Sequence, residues 1–239
     1  MSEPIEALIF DMDGTVVDNM GVHGEAWAAW HAREGLPFDA DAFFARTAGR
    51  TNAEIIGALY PDRTANEIAS LGEAKEAVYR EIYGPRVKAL DGLLDLLATA
   101  ERRGLKLAVA TAAPPPNIAL VLDSLGLRAR FEAVVSPAMG LRGKPHPDIF
   151  LRAAEQLGVP PARCLVFEDA PLGVEAARRA GMRAVALTTT LAPADFTAFP
   201  NVVETRPDFR GFDLAAAASG ATAATAADGA AAAGVVPAA

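Results

Sequence analysis

A chain of 239 residues with 51% apolar content can bury one sizeable core, with or without a smaller inserted domain. Its formal net charge of −8 argues against a role that depends on a basic face, such as nonspecific duplex binding or attachment to anionic lipid, so an anionic ligand would need a local device to bind it. A single cysteine, Cys164, excludes an internal disulfide framework, and its place in the run Cys164-Leu165-Val166-Phe167 reads as a buried, inert thiol.

The opening MSEPIEALIF has no basic stretch, and its apolar run stops at Asp11, which argues against a signal peptide or anchor. No apolar run of about 18 residues free of charges and turn residues follows before the tail, so the expected location is the cytoplasm. Residues 5–10 read as a strand. Residues 18–85 then carry helical periodicity and no convincing strand. Val22, Ala26, Ala29 and Trp30 form an apolar stripe at helical spacing, and Thr51 with Glu54 reads as a capping box that opens another helix. This segment is expected to be a helical cap, hinged near Asp18 and near Gly84-Pro85.

From there strands and helices alternate. Helices are expected over 92–103, 117–125, 148–157 and 172–180, and strands over 105–110, 133–135, 163–167 and 183–187. Gly104, Gly126, Gly158 and Gly181 mark helix ends. Such alternation implies a parallel sheet covered on both faces. The expected class is α/β: a Rossmann-like parallel sheet core from residues 1–17 and 86–214, with an inserted small α-helical cap from 18–85. Residues 215–239 are nearly all Ala, Gly and Thr and are expected to be a flexible tail with no assigned function.

Three strands run straight into polar residues: Phe10 into Asp11, Ala110 into Thr111, and Phe167 into Glu168-Asp169. In an open parallel sheet, ligands bind outside the carboxyl ends of the strands, where the strand order reverses. The loop after 133–135 brings Gly143-Lys144-Pro145 toward the same place. Four carboxylates (Asp11, Asp13, Glu168, Asp169), a hydroxyl and a lysine suit Mg²⁺-assisted phosphoryl transfer better than serine or cysteine hydrolysis, because Mg²⁺ takes oxygen ligands and shares them with phosphate. Taken singly, each residue has a plainer explanation: Asp13-Gly14 is a common turn, Asp169 could help start a helix, and Lys144 could be a solvated loop residue. Their convergence favours the chemical reading. His23, His31 and His146 stand in different contexts, which argues against a zinc site.

The run Asp11-Met12-Asp13-Gly14-Thr15-Val16-Val17-Asp18 resembles the first signature of the haloacid dehalogenase superfamily. Thr111 resembles its second motif, Lys144 its third and Glu168-Asp169 its fourth, in the same order. A helical cap just after the first motif is similar to the subgroup that holds beta-phosphoglucomutase, phosphoglycolate phosphatase and many sugar-phosphate phosphatases. The resemblance implies that Asp11 is the nucleophile and forms an aspartyl-phosphate, and that Asp13 is general acid and base. Because an unperturbed Asp titrates near ~3.9, acid duty at neutral pH would need a raised pKa or protonation on cap closure. The resemblance further implies Mg²⁺ held by Asp11, the Asp13 carbonyl and Asp169, with Glu168 beside them. The Thr111 hydroxyl, the Ala112 amide and Lys144 would hold the transferring oxygens.

His23 and Trp27 are spaced to share one helix face. By resemblance this face borders the substrate, Gly49-Arg50-Thr51-Asn52 forms the cap loop that reads its distal groups, and Lys75 is a cap lysine. Lys75 also reads as a solvated residue between Glu73 and Glu76. Two departures separate the chain from the mutases. Arg50 directly follows Gly49, whereas the mutase arginine lies three positions beyond its glycine. Pro114-Pro115-Pro116 stands where the mutases carry a serine-lysine-asparagine run, leaving only Asn117 as a match. The expected function is therefore a phosphatase acting on a small phosphorylated metabolite, with a sugar phosphate foremost. The alternatives are a phosphomutase or a catalytically silent binding module. A monomer or weak dimer is expected, with no nucleic-acid or membrane partner.

Overall fold

The computed structural model describes residues 3–47 and 51–219. Six strands form one parallel sheet in the order β3-β2-β1-β4-β5-β6. They are β1 (Ala7–Phe10), β2 (Lys106–Ala110), β3 (Ala133–Val135), β4 (Cys164–Glu168), β5 (Arg183–Leu187) and β6 (Val202–Arg206). The central β1 pairs with β2 on one side and β4 on the other, so Phe10 lies opposite both Val109 and Phe167. The chain works outward from β1 to β3, crosses back to β4, and works outward again. The order therefore reverses between β1 and β4, which is where such sheets open a crevice.

Side-chain size alternates along the strands with period 2 and sorts the two faces. Leu8, Phe10, Leu107, Val109, Leu165, Phe167, Val185 and Leu187 form one buried face. Ala7, Ala108, Ala110, Cys164, Ala184 and Ala186, with the larger Ile9 and Val166 among them, form the other. The first face is covered by α5 (Leu93–Arg102) and α6 (Pro115–Ser124); the small side chains of the second let α7 (Asp148–Leu157) and α8 (Pro171–Arg179) lie close. Cys164 is fully buried, and burial pushes its thiol up to about 12, which makes it as unreactive as the sequence suggests.

Between β1 and α5 stand four helices: α1 (Met20–Arg33), α2 (Ala40–Thr47), α3 (Asn52–Leu59) and α4 (Ala65–Tyr83). The expected capping box at Thr51 and Glu54 opens α3, and a second box at Thr64 and Glu67 opens α4. Ala26, Trp30, Ile56, Val78 and Tyr79 join the apolar cluster of the first sheet face. The chain entering and leaving these helices is tied side by side, with Val17 bridging Ala89 and Leu90 N–H donating to the Val16 carbonyl at 2.9 Å. Gly84 keeps helical angles and continues into a single 3₁₀ turn, Gly84–Arg86.

Most boundaries fall within a residue of expectation, and three elements depart further. Helix α6 opens at Pro115, since proline fits the first turn of a helix, where no N–H is needed. Strand β6 was not expected; Glu204 and Arg206 interrupt its apolar pattern, as suits the edge of a sheet. The stretch expected to begin a flexible tail forms a short helix α9 (Leu214–Ser219), with Leu214 and Ala217 buried against the first face. Residues 220–239 lie outside the described residues. Among those described, no helix is long and apolar enough to cross a membrane.

Candidate active site

Phe10 and Phe167 stack at 4.8 Å with planes 9° apart, which sets the ends of β1 and β4 level. The next residue on each strand side is acidic. Asp11 N–H donates to the Phe167 carbonyl at 2.9 Å, so Asp11 leaves the sheet beside Glu168 and Asp169. All three carboxylates are buried, and one oxygen from each lies within 4.8 Å of the others. Lys144 donates to Asp11 Oδ1 at 2.5 Å and to Glu168 Oε1 at 2.6 Å. Two of the three carboxylates thus share one ammonium, while Asp169 accepts instead from the Thr190 hydroxyl.

The charge balance shows in the proton affinities. Burial raises the Asp11 carboxyl well above its usual range; Lys144 pulls it back, while Glu168, Asp169 and Asp13 push it further up. Asp169 is raised to about 7, chiefly by burial and then by Glu168. Burial works against the Lys144 ammonium, yet Asp11 and Glu168 outweigh it and hold its pKa above the usual lysine value. Negative charge is in surplus here. A divalent cation would relieve it, and an all-oxygen, buried donor set matches the hard-cation preference of Mg²⁺.

Two glycines make room for the acids. Gly14 sits at φ +73°, and a Cβ there would lie 2.1 Å from Asp169 Oδ2. A Cβ on Gly173 would lie 1.7 Å from Glu168 Oε1, whose partner Oε2 accepts from Ala170 N–H at 2.6 Å.

Asp13 takes another direction. The N–H groups of Thr15, Val16 and Val17 all close on the Met12 carbonyl, making a tight turn around a buried Met12. While Asp11 meets Lys144, Asp13 Oδ1 accepts from Asn19 Nδ2 at 2.6 Å and its Oδ2 faces His23 Nε2 at 4.0 Å. Asn19 is fully buried; it also accepts from Gly14 N–H at 3.1 Å and donates to Tyr79 Oη at 2.6 Å. His23 stacks on Tyr79 at 4.1 Å. Burial and the nearby Lys75 ammonium lower the His23 pKa against the pull of Asp13 and Glu76. Lys75 donates to His23 Nδ1 at 3.1 Å, so a neutral ring carries its proton on Nε2, toward Asp13.

Lys75 reaches both His23 and Trp27, its ammonium lying 5.1 Å from the Trp27 ring, as the shared helix face anticipates. It is not a solvated residue: it is 2% exposed and paired with Glu76 at 2.8 Å. Thr111 is buried at the end of β2 and accepts from Ala113 N–H at 3.0 Å, with Ala112 exposed beside it. Asn117 stands apart from the acidic cluster, its side chain bonded to Glu76 and Arg80. Arg50 lies outside the described residues.

Sequence reasoning passed over Asn19, Tyr79, Glu76, Thr189 and Thr190. The threonines follow β5, where the rule about strand ends applies as it does to Asp11, and Thr190 Oγ1 donates to Asp169 Oδ2 at 2.6 Å.

The model of the haloacid dehalogenase-like hydrolases matches residues 5–181. Protein CbbY of Rhodobacter capsulatus is 35% identical over 228 residues, covering 90% of this chain and 96% of that protein. The fructose-1-phosphate phosphatase YqaB of Escherichia coli is 35% identical over 185 residues, covering 77% of this chain and 97% of its own. The crystal structure of a HAD hydrolase of family IA, variant 3, from Entamoeba histolytica superposes with a TM-score of 0.81 at 25% identity, covering 87% of this chain and 96% of that one. With the strand-end acids, Lys144 and Thr111 standing as described, the chain belongs to the haloacid dehalogenase-like hydrolase family of enzymes.

Proposed function

We propose that the protein is a Mg²⁺-dependent phosphatase that hydrolyses a small phosphorylated metabolite, foremost a sugar phosphate, through a phosphoryl group on Asp11. The observation that carries this reading is the divergence of two carboxylates only two residues apart. Asp11 is engaged by Lys144 within the acidic cluster, and Asp13 by Asn19 beside the inserted helices. This divergence supports a division in which Asp11 attacks and Asp13 moves protons.

In the first step an Asp11 oxygen attacks phosphorus, the bond from phosphorus to the ester oxygen breaks, and Asp13 gives the departing alkoxide its proton. In the second, Asp13 takes a proton from water, the resulting hydroxide attacks phosphorus, and the bond to Asp11 breaks to return its carboxylate and release phosphate. Lys144 and the Thr111 hydroxyl hold the transferring oxygens and offset their charge. Asp11, Glu168 and Asp169, with the Asp13 carbonyl, would hold Mg²⁺, which when bound neutralises phosphate charge and so lets an acidic chain accept an anion.

Helices α1–α4 would act as the cap, with His23, Trp27 and Lys75 facing the part of the substrate that does not react, and Arg50 is proposed by resemblance to bind the same part. The fructose-1-phosphate activity named for YqaB supports a sugar phosphate. A panel of sugar phosphates, phosphoglycolate and nucleotides, with Mg²⁺ and with chelator, tests the reading. Phosphate release confined to Mg²⁺ and to sugar phosphates supports it. Undiminished turnover in chelator refutes the metal, and interconversion of two sugar phosphates without release of phosphate makes the protein a mutase.

A further inference from the structure

Two adjacent hydroxyls at the carboxyl end of β5, outside all four signature motifs, reach into the acidic cluster. Thr189 Oγ1 donates to the Gly14 carbonyl at 2.5 Å, and Thr190 Oγ1 donates to Asp169 Oδ2 at 2.6 Å. The two acceptors belong to groups in contact, since a Cβ built on Gly14 would fall 2.1 Å from that same Oδ2. Three loops, those after β1, β4 and β5, therefore meet at one buried carboxylate, which is only 4% exposed. The residue that follows Asp169 is Ala170, which has no hydroxyl to contribute.

A carboxylate can turn about its Cβ–Cγ bond, and a cation needs it held with one oxygen presented and its charge undiverted. A neutral hydroxyl on the other oxygen does this: it fixes the plane and leaves the charge in place. The geometry points to Thr190 as a positioning residue that fixes Asp169 for the divalent cation, with Thr189 holding the Gly14 segment on which Asp169 leans. This inference rests on the reading of Asp11, Glu168 and Asp169 as a metal site. The loop after β5 then sets Mg²⁺ affinity without touching the ion.

The test is Mg²⁺ binding to the full chain without substrate, by titration calorimetry and by the rise in Tm with Mg²⁺ concentration. Thr190→Val keeps the shape and removes the donor, and should weaken Mg²⁺ binding about tenfold or more, the usual effect of losing a partner that orients a ligand. Thr190→Ser should stay close to the wild type. Should the valine variant fail to fold, Thr190→Cys, with its weak donor, gives the same comparison. Wild-type binding with an undiminished valine or cysteine variant would overturn the role of Thr190 alone. Absence of Mg²⁺ binding by the wild type would overturn that role and the metal reading together.

Discussion

Asn117, on helix α6 of the sheet core, donates its side-chain amide to Glu76 Oε2, on the inserted helix α4, at 2.7 Å in a buried setting. Glu76 also accepts from Asn52 at 2.6 Å and from Lys75 at 2.8 Å, while Arg80 donates to Asn117 Oδ1 at 2.9 Å. Burial alone would raise the Glu76 carboxyl; Lys75, His23 and Asn117 reverse that and hold it below its usual range. Asn117, the one residue that matches the mutase run after Thr111, is thus in this structure a polar link between α6 and α4. Asn117→Ala would leave a Glu76 oxygen and an Arg80 donor short of a partner and should destabilise the fold by about 1–3 kcal/mol. The urea midpoint should fall with the m value unchanged; an unchanged midpoint would contradict the link.

Asn19 holds both the Asp13 carboxylate and the Gly14 N–H. Asn19→Ala should let Asp13 turn away from the reacting oxygens and lower kcat about tenfold or more, with KM little changed, because proton transfer depends on geometry before affinity. Steady-state kinetics on a sugar phosphate decides it. A raised KM at constant kcat would assign Asn19 to substrate binding instead.

Lys144 is the cation that the described structure gives to both Asp11 and Glu168. Lys144→Met should lower kcat/KM by about 10²–10³, the scale seen when a donor to a developing oxyanion is lost. Lys144→Arg should fail to restore it, since a guanidinium cannot occupy the place of a compact ammonium between two carboxylates 2.5 and 2.6 Å away. Full activity in the arginine variant would show that only net charge matters at this position.

The raised pKa of Asp169, about 7, sets a pH dependence for metal binding. Between its ordinary value of 3.8 and about 7 the folded, metal-free protein binds the extra proton, so the contribution of this group to stability falls as pH rises through that window. Mg²⁺ must displace that proton, so its apparent affinity should drop by up to about tenfold for each pH unit below 7. The Mg²⁺-induced rise in Tm should therefore be larger at pH 8 than at pH 5.5. For a chain of this length each kcal/mol of difference is worth about 2–4 °C. Equal shifts at the two pH values would contradict the assignment of Asp169 to the metal.

Five strands and the acidic cluster could be read in the sequence because their signals are local. An apolar run that ends in Asp11, Thr111 or Glu168-Asp169 names both the strand and the crevice at its carboxyl end. Strand β6 escaped because Glu204 and Arg206, tolerated at a sheet edge, erase the pattern. Helix α9 escaped because a run of alanines gains burial only from a surface that other residues supply. The hub at Glu76 joins residues 24 and 41 positions away, and the Thr190 contact spans 21. Side-chain hydrogen bonds between elements leave no periodic trace. Lys75 shows the limit most clearly: between Glu73 and Glu76 on a helix, it reads as a solvated residue as readily as a cap lysine, yet Trp27, His23 and Glu76 bury it.

The central claim is that Asp11 carries the phosphoryl group and Asp13 moves the protons, and intact-protein mass spectrometry after rapid acid quench tests it most directly. With an activated phosphate donor, whose leaving group needs little protonation, Asp13→Asn keeps the nucleophile and loses the base for water, so it should accumulate one added phosphoryl group, labile to hydroxylamine. Asp11→Asn should show none, because an amide is a poor nucleophile. An adduct on the Asp11→Asn variant, or none on Asp13→Asn with such a donor, would contradict the division of roles between the two aspartates.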